Sequence, residues 1–97
     1  MDKHQKGWNQ FIALCTDAPD DKTLSSLFDL FFTAEERDDL ALRFLIVKEL
    51  ISEQKTQRDI AKHLNVSIAK ITRGSNELKR TNSQLLNYLK KRFSKNA

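Results

Sequence analysis

Helix breakers are almost missing from this 97-residue chain, which has two Gly and one Pro. They are set among abundant Leu, Lys, Glu, Asp and Gln, residues that lose little freedom in a helix, so helices are favoured over strands. The few breakers and capping residues then divide the chain. Trp8, Phe11, Ile12 and Cys15 share one face and predict a first helix from about Gln5 to Thr16. The segment 17–21, with Pro19, ends it. Leu24, Leu27, Phe28 and Phe31 predict a short second helix over about Thr23–Phe31. Thr33 and Glu36 form a capping box, in which each side chain takes the other residue's amide. That box opens a long third helix, about Ala34–Ser52, with Leu40, Phe44, Val47 and Ile51 as its apolar stripe. No internal repeat or low-complexity tract interrupts the pattern.

The following stretch, SEQKTQRDIAKHLNVSIAKITRGSNELKR, is more specific. Thr56 and Asp59 make a second, weaker box. A helix of about two turns follows and ends near His63 or Leu64. Asn65 suits the left-handed conformation of a tight turn, and Ser67 caps a new helix running to about Arg80. Ile60 and Leu64 face inward from the first helix, Val66 plugs the turn, and Ile68 and Ile71 face inward from the second. Ala61 is small enough for a close crossing. This spacing predicts a helix-turn-helix over about residues 56–80, the competing reading being an ordinary helical hairpin. Asn82 or Ser83 caps a last helix with Leu85, Leu86, Leu89 and Phe93 inward.

Length predicts one domain, residues 1–97, with a modest core. Apolar helix faces beyond that core call for a partner, which makes a dimer an expectation. Residues 1–54 hold six Lys/Arg against eleven Asp/Glu, a net −5, and residues 55–97 hold eleven against two, a net +9. Such a split is a common footprint of nucleic-acid binding, or else a merely solvated basic surface. The lone Cys15 has no internal bridge to form and no charged neighbour to activate it, so it reads as structural, in a reducing compartment. No apolar run approaches the ~20 residues of a membrane span, and MDKHQKGWNQ lacks a signal-peptide core. A cytoplasmic protein with no membrane association is expected.

One position departs from ordinary packing. Gly74 stands where the second helix of the pair would carry another large apolar residue. Glycine inside a helix costs about 1 kcal/mol against alanine. The position reads either as a hole flanked by Arg73, Asn76 and Glu77, hence a small-molecule site, or as a bend or close helix crossing.

ITRGSNELK, with QRDIAKHL before it, FFTAEERDDLALRFLIVKEL before that and Trp8 at the front, resembles the trp repressor family over nearly the whole chain. ITRGSN is the specific part. The resemblance implies an all-α, six-helix chain with a helix-turn-helix, assembled as an intertwined homodimer with two reading heads. It implies L-tryptophan as corepressor, with no other cofactor and no metal. Arg43 and Arg73 would sandwich the indole, and Arg73 would also pair with the ligand carboxylate; planar guanidinium suits both tasks. Carbonyls of Leu30 and Phe32, with Thr33 alongside, would take the ammonium at the end of the second helix, and Gly74 would leave room for the ring. Ile68, Ala69, Lys70, Thr72 and Arg73 would lie near base edges. Gln57, Arg58, Ser75, Asn76 and Lys79 would meet phosphate, supplying affinity rather than specificity. Three residues depart from the family pattern. Lys70 stands where Thr is usual, and Ala61 where a Lys often touches DNA. Glu77 stands where Ser is usual near the ammonium, and would pair with it or point to solvent.

The function implied is tryptophan-activated repression of tryptophan biosynthesis or uptake genes at a palindromic double-stranded DNA operator. Two other readings compete. One is a helix-turn-helix DNA-binding protein that needs no ligand. The other is a small all-α enzyme of the chorismate mutase type, which also sets Arg against carboxylates. The enzyme reading lacks a paired acid and base, because His4 and His63 look isolated and His63 falls at an exposed helix end. No enzyme activity is expected.

Overall fold

Six helices form: α1 Lys3–Thr16, α2 Asp21–Phe31, α3 Ala34–Ser52, α4 Gln57–Leu64, α5 Ile68–Lys79 and α6 Ser83–Lys95. The computed structural model describes residues 2–95, and among them there is no strand. The class is all-α, as expected. Each boundary has a chemical cause. Asp2 and Asp20 cap α1 and α2 by accepting from the amides of Gln5 and Thr23, both at 2.8 Å. These two helices therefore begin two residues earlier than the apolar spacing predicts, because a cap precedes the first residue that packs. At α3 the box closes as expected: the Thr33 amide donates to Glu36 Oε1 at 2.8 Å, and the Glu36 amide to Thr33 Oγ1 at 3.0 Å. Asn82 caps α6, its side chain accepting from the Leu85 amide.

The chain divides into two compact units, Met1–Asp38 and Asp39–Ala97. In the N-terminal unit, Phe11 is the centre of an aromatic cluster. Its ring lies 5.6–6.3 Å from those of Trp8, Phe28, Phe31 and Phe32, within the range of favourable tilted and edge contacts. No residue of α1 or α2 is fully buried, and Cys15 is half-buried.

In the C-terminal unit, Ile46 of α3, Ile60 and Ala61 of α4 and Ile71 of α5 form the buried core, with Leu42, Leu50, Leu64 and Val66 packed against it. This corrects the expected stripe of α3. The core takes the Leu42, Ile46 and Leu50 side, while Leu40 and Phe44 are each 50% exposed. The C-terminal part of α3 is apolar on two faces, both at helical spacing, and spacing alone does not choose between them. Two further corrections concern inward positions. Ile68 is 47% exposed because it opens the first turn of α5, and Leu85 is similarly exposed whereas Leu86, Leu89 and Phe93 are half-buried. Phe93 meets Phe44 edge-on at 5.8 Å between ring centres. No described helix is long and apolar enough to cross a membrane.

Candidate DNA-reading head and ligand cleft

The pair α4–α5 is built by its own caps and turn. Thr56 accepts from the Asp59 amide and Ser67 from the Lys70 amide, so each helix starts on a side-chain oxygen. Asn65 ends α4 in the left-handed region, at φ 55° and ψ 51°. The next amide, Val66, returns to the Ala61 carbonyl at 3.0 Å, and the chain turns within three residues. Ile60 and Ile71 then meet as fully buried side chains. Thr72 Oγ1 donates to Gln57 Oε1 at 3.2 Å, a second tie between the two helices.

This packing leaves one side of α5 open. Ile68, Ala69, Lys70, Thr72, Arg73, Asn76 and Lys79 are exposed, as is Arg58 on α4. Gln57 and Ser75 are half-buried. Ala61 is buried in the core beside Ile60 and Ile71, so this position serves packing and offers no contact to a partner.

The other side of α5 borders a cleft of about 630 Å³, walled by Asp39, Leu42, Arg43, Ile46 and Val47 of α3 and by Lys70, Arg73, Gly74 and Glu77 of α5. Four of the seven expected ligand residues, Arg43, Arg73, Gly74 and Glu77, thus line one space. The other three, Leu30, Phe32 and Thr33, belong to the N-terminal unit, where Leu30 is exposed and Thr33 caps α3. Among the described residues neither Arg43 nor Arg73 has a hydrogen bond or ion pair, so both guanidinium groups are available to an anion or a ring face. Glu77 pairs with Arg80 one turn on, at the surface. The cleft has an apolar floor of Leu42, Ile46 and Val47 and a charged rim, a combination suited to a flat ligand with a polar end.

Sequence reasoning missed Asp39, Leu42, Ile46 and Val47. Asp39, Ile46 and Val47 stand four before, three after and four after Arg43, a helical spacing that was the available signal; Leu42, its chain neighbour, carried none. Lys70, expected only at base edges, also lines the cleft. At Gly74 both readings meet. A Cβ there would lie 3.0 Å from Ile46 Cγ2 and 3.4 Å from Leu50 Cδ1. Glycine lets α5 cross α3 closely, and the same closeness forms one wall of the cleft.

A polar contact also ties the head to α3. Glu49 Oε1 lies 2.8 Å from Lys55 Nζ and 2.7 Å from His63 Nδ1. Lys55 Nζ also lies 2.9 Å from His63 Nδ1, so the three groups form one cluster: a protonated Nδ1 donates to the Glu49 carboxylate, and a bare Nδ1 accepts from the Lys55 ammonium. His63 is exposed at the end of α4, as expected, but it is not isolated. Burial pushes the Glu49 pKa up, yet the hydrogen bonds and charges of Lys55 and His63 outweigh it and leave the group below its ordinary value.

The all-α fold and the α4–α5 pair define a helix-turn-helix protein. Residues 6–93 match the family model described as Trp repressor protein. A Trp operon repressor homolog of Chlamydia caviae is 44% identical over 90 residues, covering 93% of this chain and 89% of that protein. Homologs of the same description in Histophilus somni and Haemophilus influenzae are 35% and 34% identical, over 99% and 93% of this chain and 91% and 89% of theirs. The chain belongs to the Trp repressor family, whose members are DNA-binding regulators of transcription and not enzymes.

Proposed function

We propose that this protein is an L-tryptophan-activated repressor that acts as a homodimer on a palindromic operator of tryptophan biosynthesis or uptake genes. The observation that carries the reading is the cleft beneath α5. Two arginines, Arg43 and Arg73, with no ion pair among the described residues, stand on facing helices around an apolar floor. In this reading the indole lies between them, Arg73 holds the carboxylate, and Glu77 takes the ammonium. The occupant completes the packing between α3 and α5 and sets the tilt of α5. Ile68, Ala69, Lys70, Thr72 and Arg73 then meet base edges. Gln57, Arg58, Ser75, Asn76 and Lys79 meet phosphate.

A ligand that binds the competent arrangement better shifts the population toward it. Helix-turn-helix dimers, trp repressors among them, set two heads about 34 Å apart to meet successive major grooves. The second copy is the natural cover for Leu40, Phe44 and Leu45 of α3 and for Leu85 and Tyr88 of α6, which are exposed in the single chain. Cytoplasmic residence follows from the same role.

The test is titration calorimetry with L-tryptophan, together with gel shifts on a duplex selected from a random pool. L-tryptophan is expected to bind and to tighten the shift. Arg73→Leu is expected to lose ligand binding while keeping salt-sensitive nonspecific DNA binding. An equal shift with and without tryptophan would overturn the corepressor role and favour a ligand-independent DNA-binding protein.

A further inference from the structure

We propose that Glu49 is the positioning residue of the reading head, latching both ends of α4 to α3 through Lys55 and His63. The inference rests on the reading of α4–α5 as a DNA-binding head. Lys55 immediately precedes the Thr56 cap at the start of α4, and His63 lies in its last turn. Both reach the same oxygen, Glu49 Oε1, across 6 and 14 positions of sequence. One carboxylate on α3 therefore holds a short helix at its two ends.

The setting of that carboxylate argues against a casual surface pair. The Glu49 side chain is only 17% exposed, and its Oε2 is buried without a hydrogen-bond partner among the described residues. Withdrawing a carboxylate from water and leaving one oxygen unsatisfied is unfavourable. Such pairs add little net stability, and their best-attested use is to select one geometry among several.

The remaining ties between α3 and the head are apolar: Ile46 and Leu50 against Ile60, Ile71 and the backbone at Gly74. Apolar contact is non-directional and permits sliding, whereas a charge-assisted hydrogen bond near 2.7 Å is directional. The helix that carries Glu49 also carries Arg43, Ile46 and Val47 of the cleft wall. The latch thus fixes the head relative to the helix on which the ligand would rest. Without it, the ligand still finds its arginines, but α4 and α5 hold their place less well.

The test uses the full chain and four variants: Glu49→Gln, Lys55→Met, His63→Leu and His63→Gln. Amide hydrogen exchange in α4 is expected to quicken about tenfold in Glu49→Gln and His63→Leu, as the loss of a hydrogen bond to a charged group implies. His63→Gln keeps a donor at similar reach and is expected to restore the wild-type rate. With saturating L-tryptophan, affinity for the selected duplex is expected to fall by a similar factor in His63→Leu, while tryptophan affinity is unchanged. Lys55→Met should show an intermediate loss. The His63 and Lys55 variants alter exposed side chains, so they decide the matter even if Glu49→Gln folds poorly. Wild-type exchange and duplex affinity in His63→Leu would overturn the latch, as would equal damage in His63→Leu and His63→Gln. Failure of the wild-type protein to bind any duplex would remove the repressor reading instead, and the exchange arm would still decide the latch.

Discussion

Gly74 shows how one residue serves two ends. Its missing side chain lets α5 approach α3, with Ile46 and Leu50 in the space a Cβ would contest. Gly74→Leu should therefore overpack the crossing. The expected loss is about 1–3 kcal/mol from strain, partly offset by the ~0.8 kcal/mol better helix propensity of leucine. Urea unfolding reads the net loss, and calorimetry should show L-tryptophan binding abolished as the cleft fills. Glu77 is the acidic residue of the cleft wall on α5. It lines the cleft, yet pairs with Arg80 at the surface. If it turns to the ligand ammonium, Glu77→Gln should weaken L-tryptophan binding about threefold, the size expected of a half-exposed ion pair. Binding of indole-3-propionate, which has no ammonium, should stay unchanged. The role of the glycine was only half legible in the sequence. A helical pattern with a gap shows that something is absent, but the neighbours that make the absence useful come from another helix.

At the scale of the element, caps and turns were the most legible features. Thr33 with Glu36, Thr56, Asn65, Ser67 and Asn82 act where the residue types place them, because a cap is a contact between residues three apart. Asn65 provides the sharpest test. At φ 55° a β-branched side chain crowds its own carbonyl. Asn65→Val should lower stability by about 1–2 kcal/mol in urea unfolding, whereas Asn65→Gly should cost little or nothing. Apolar spacing places the starts of α1 and α2 two residues late, because it marks where a helix packs rather than where it begins. By its position after the cap, Ile68 is an inward residue in the sequence pattern. In the fold it lies on the open side of α5, and the core is closed by Ile71 one turn later.

At the scale of the whole molecule, the exposed apolar faces of α3 and α6 and the acidic–basic split point to assembly and to a charged partner. Sedimentation equilibrium should give twice the chain mass at micromolar concentration; a monomer would leave Leu40, Phe44, Leu45 and Tyr88 uncovered. Acid should loosen the fold in a defined window. Glu49 and Asp20 both titrate below their ordinary values, 4.5 and 3.8: Glu49 because its Lys55 and His63 contacts outweigh the opposing effect of burial, Asp20 chiefly because it accepts from the Thr23 backbone amide. A depressed carboxylate contributes stability that is fully present above its unfolded value and is lost as pH falls through the folded one. Unfolding midpoints should therefore be flat with respect to these two groups from about pH 6 to 7 and fall below about pH 4.5. Glu49→Gln should flatten the acid limb. By itself the sequence determined the helical class, the caps, the left-handed turn at Asn65 and the basic half, because each depends on residues close in the chain or on composition. The tertiary structure alone decided which apolar face of α3 enters the core, that Arg43 and Arg73 share a cleft, and that Glu49 meets Lys55 and His63. Those outcomes depend on how α3 crosses the α4–α5 pair, and a helix with two apolar faces carries no local signal of which one its neighbours will take.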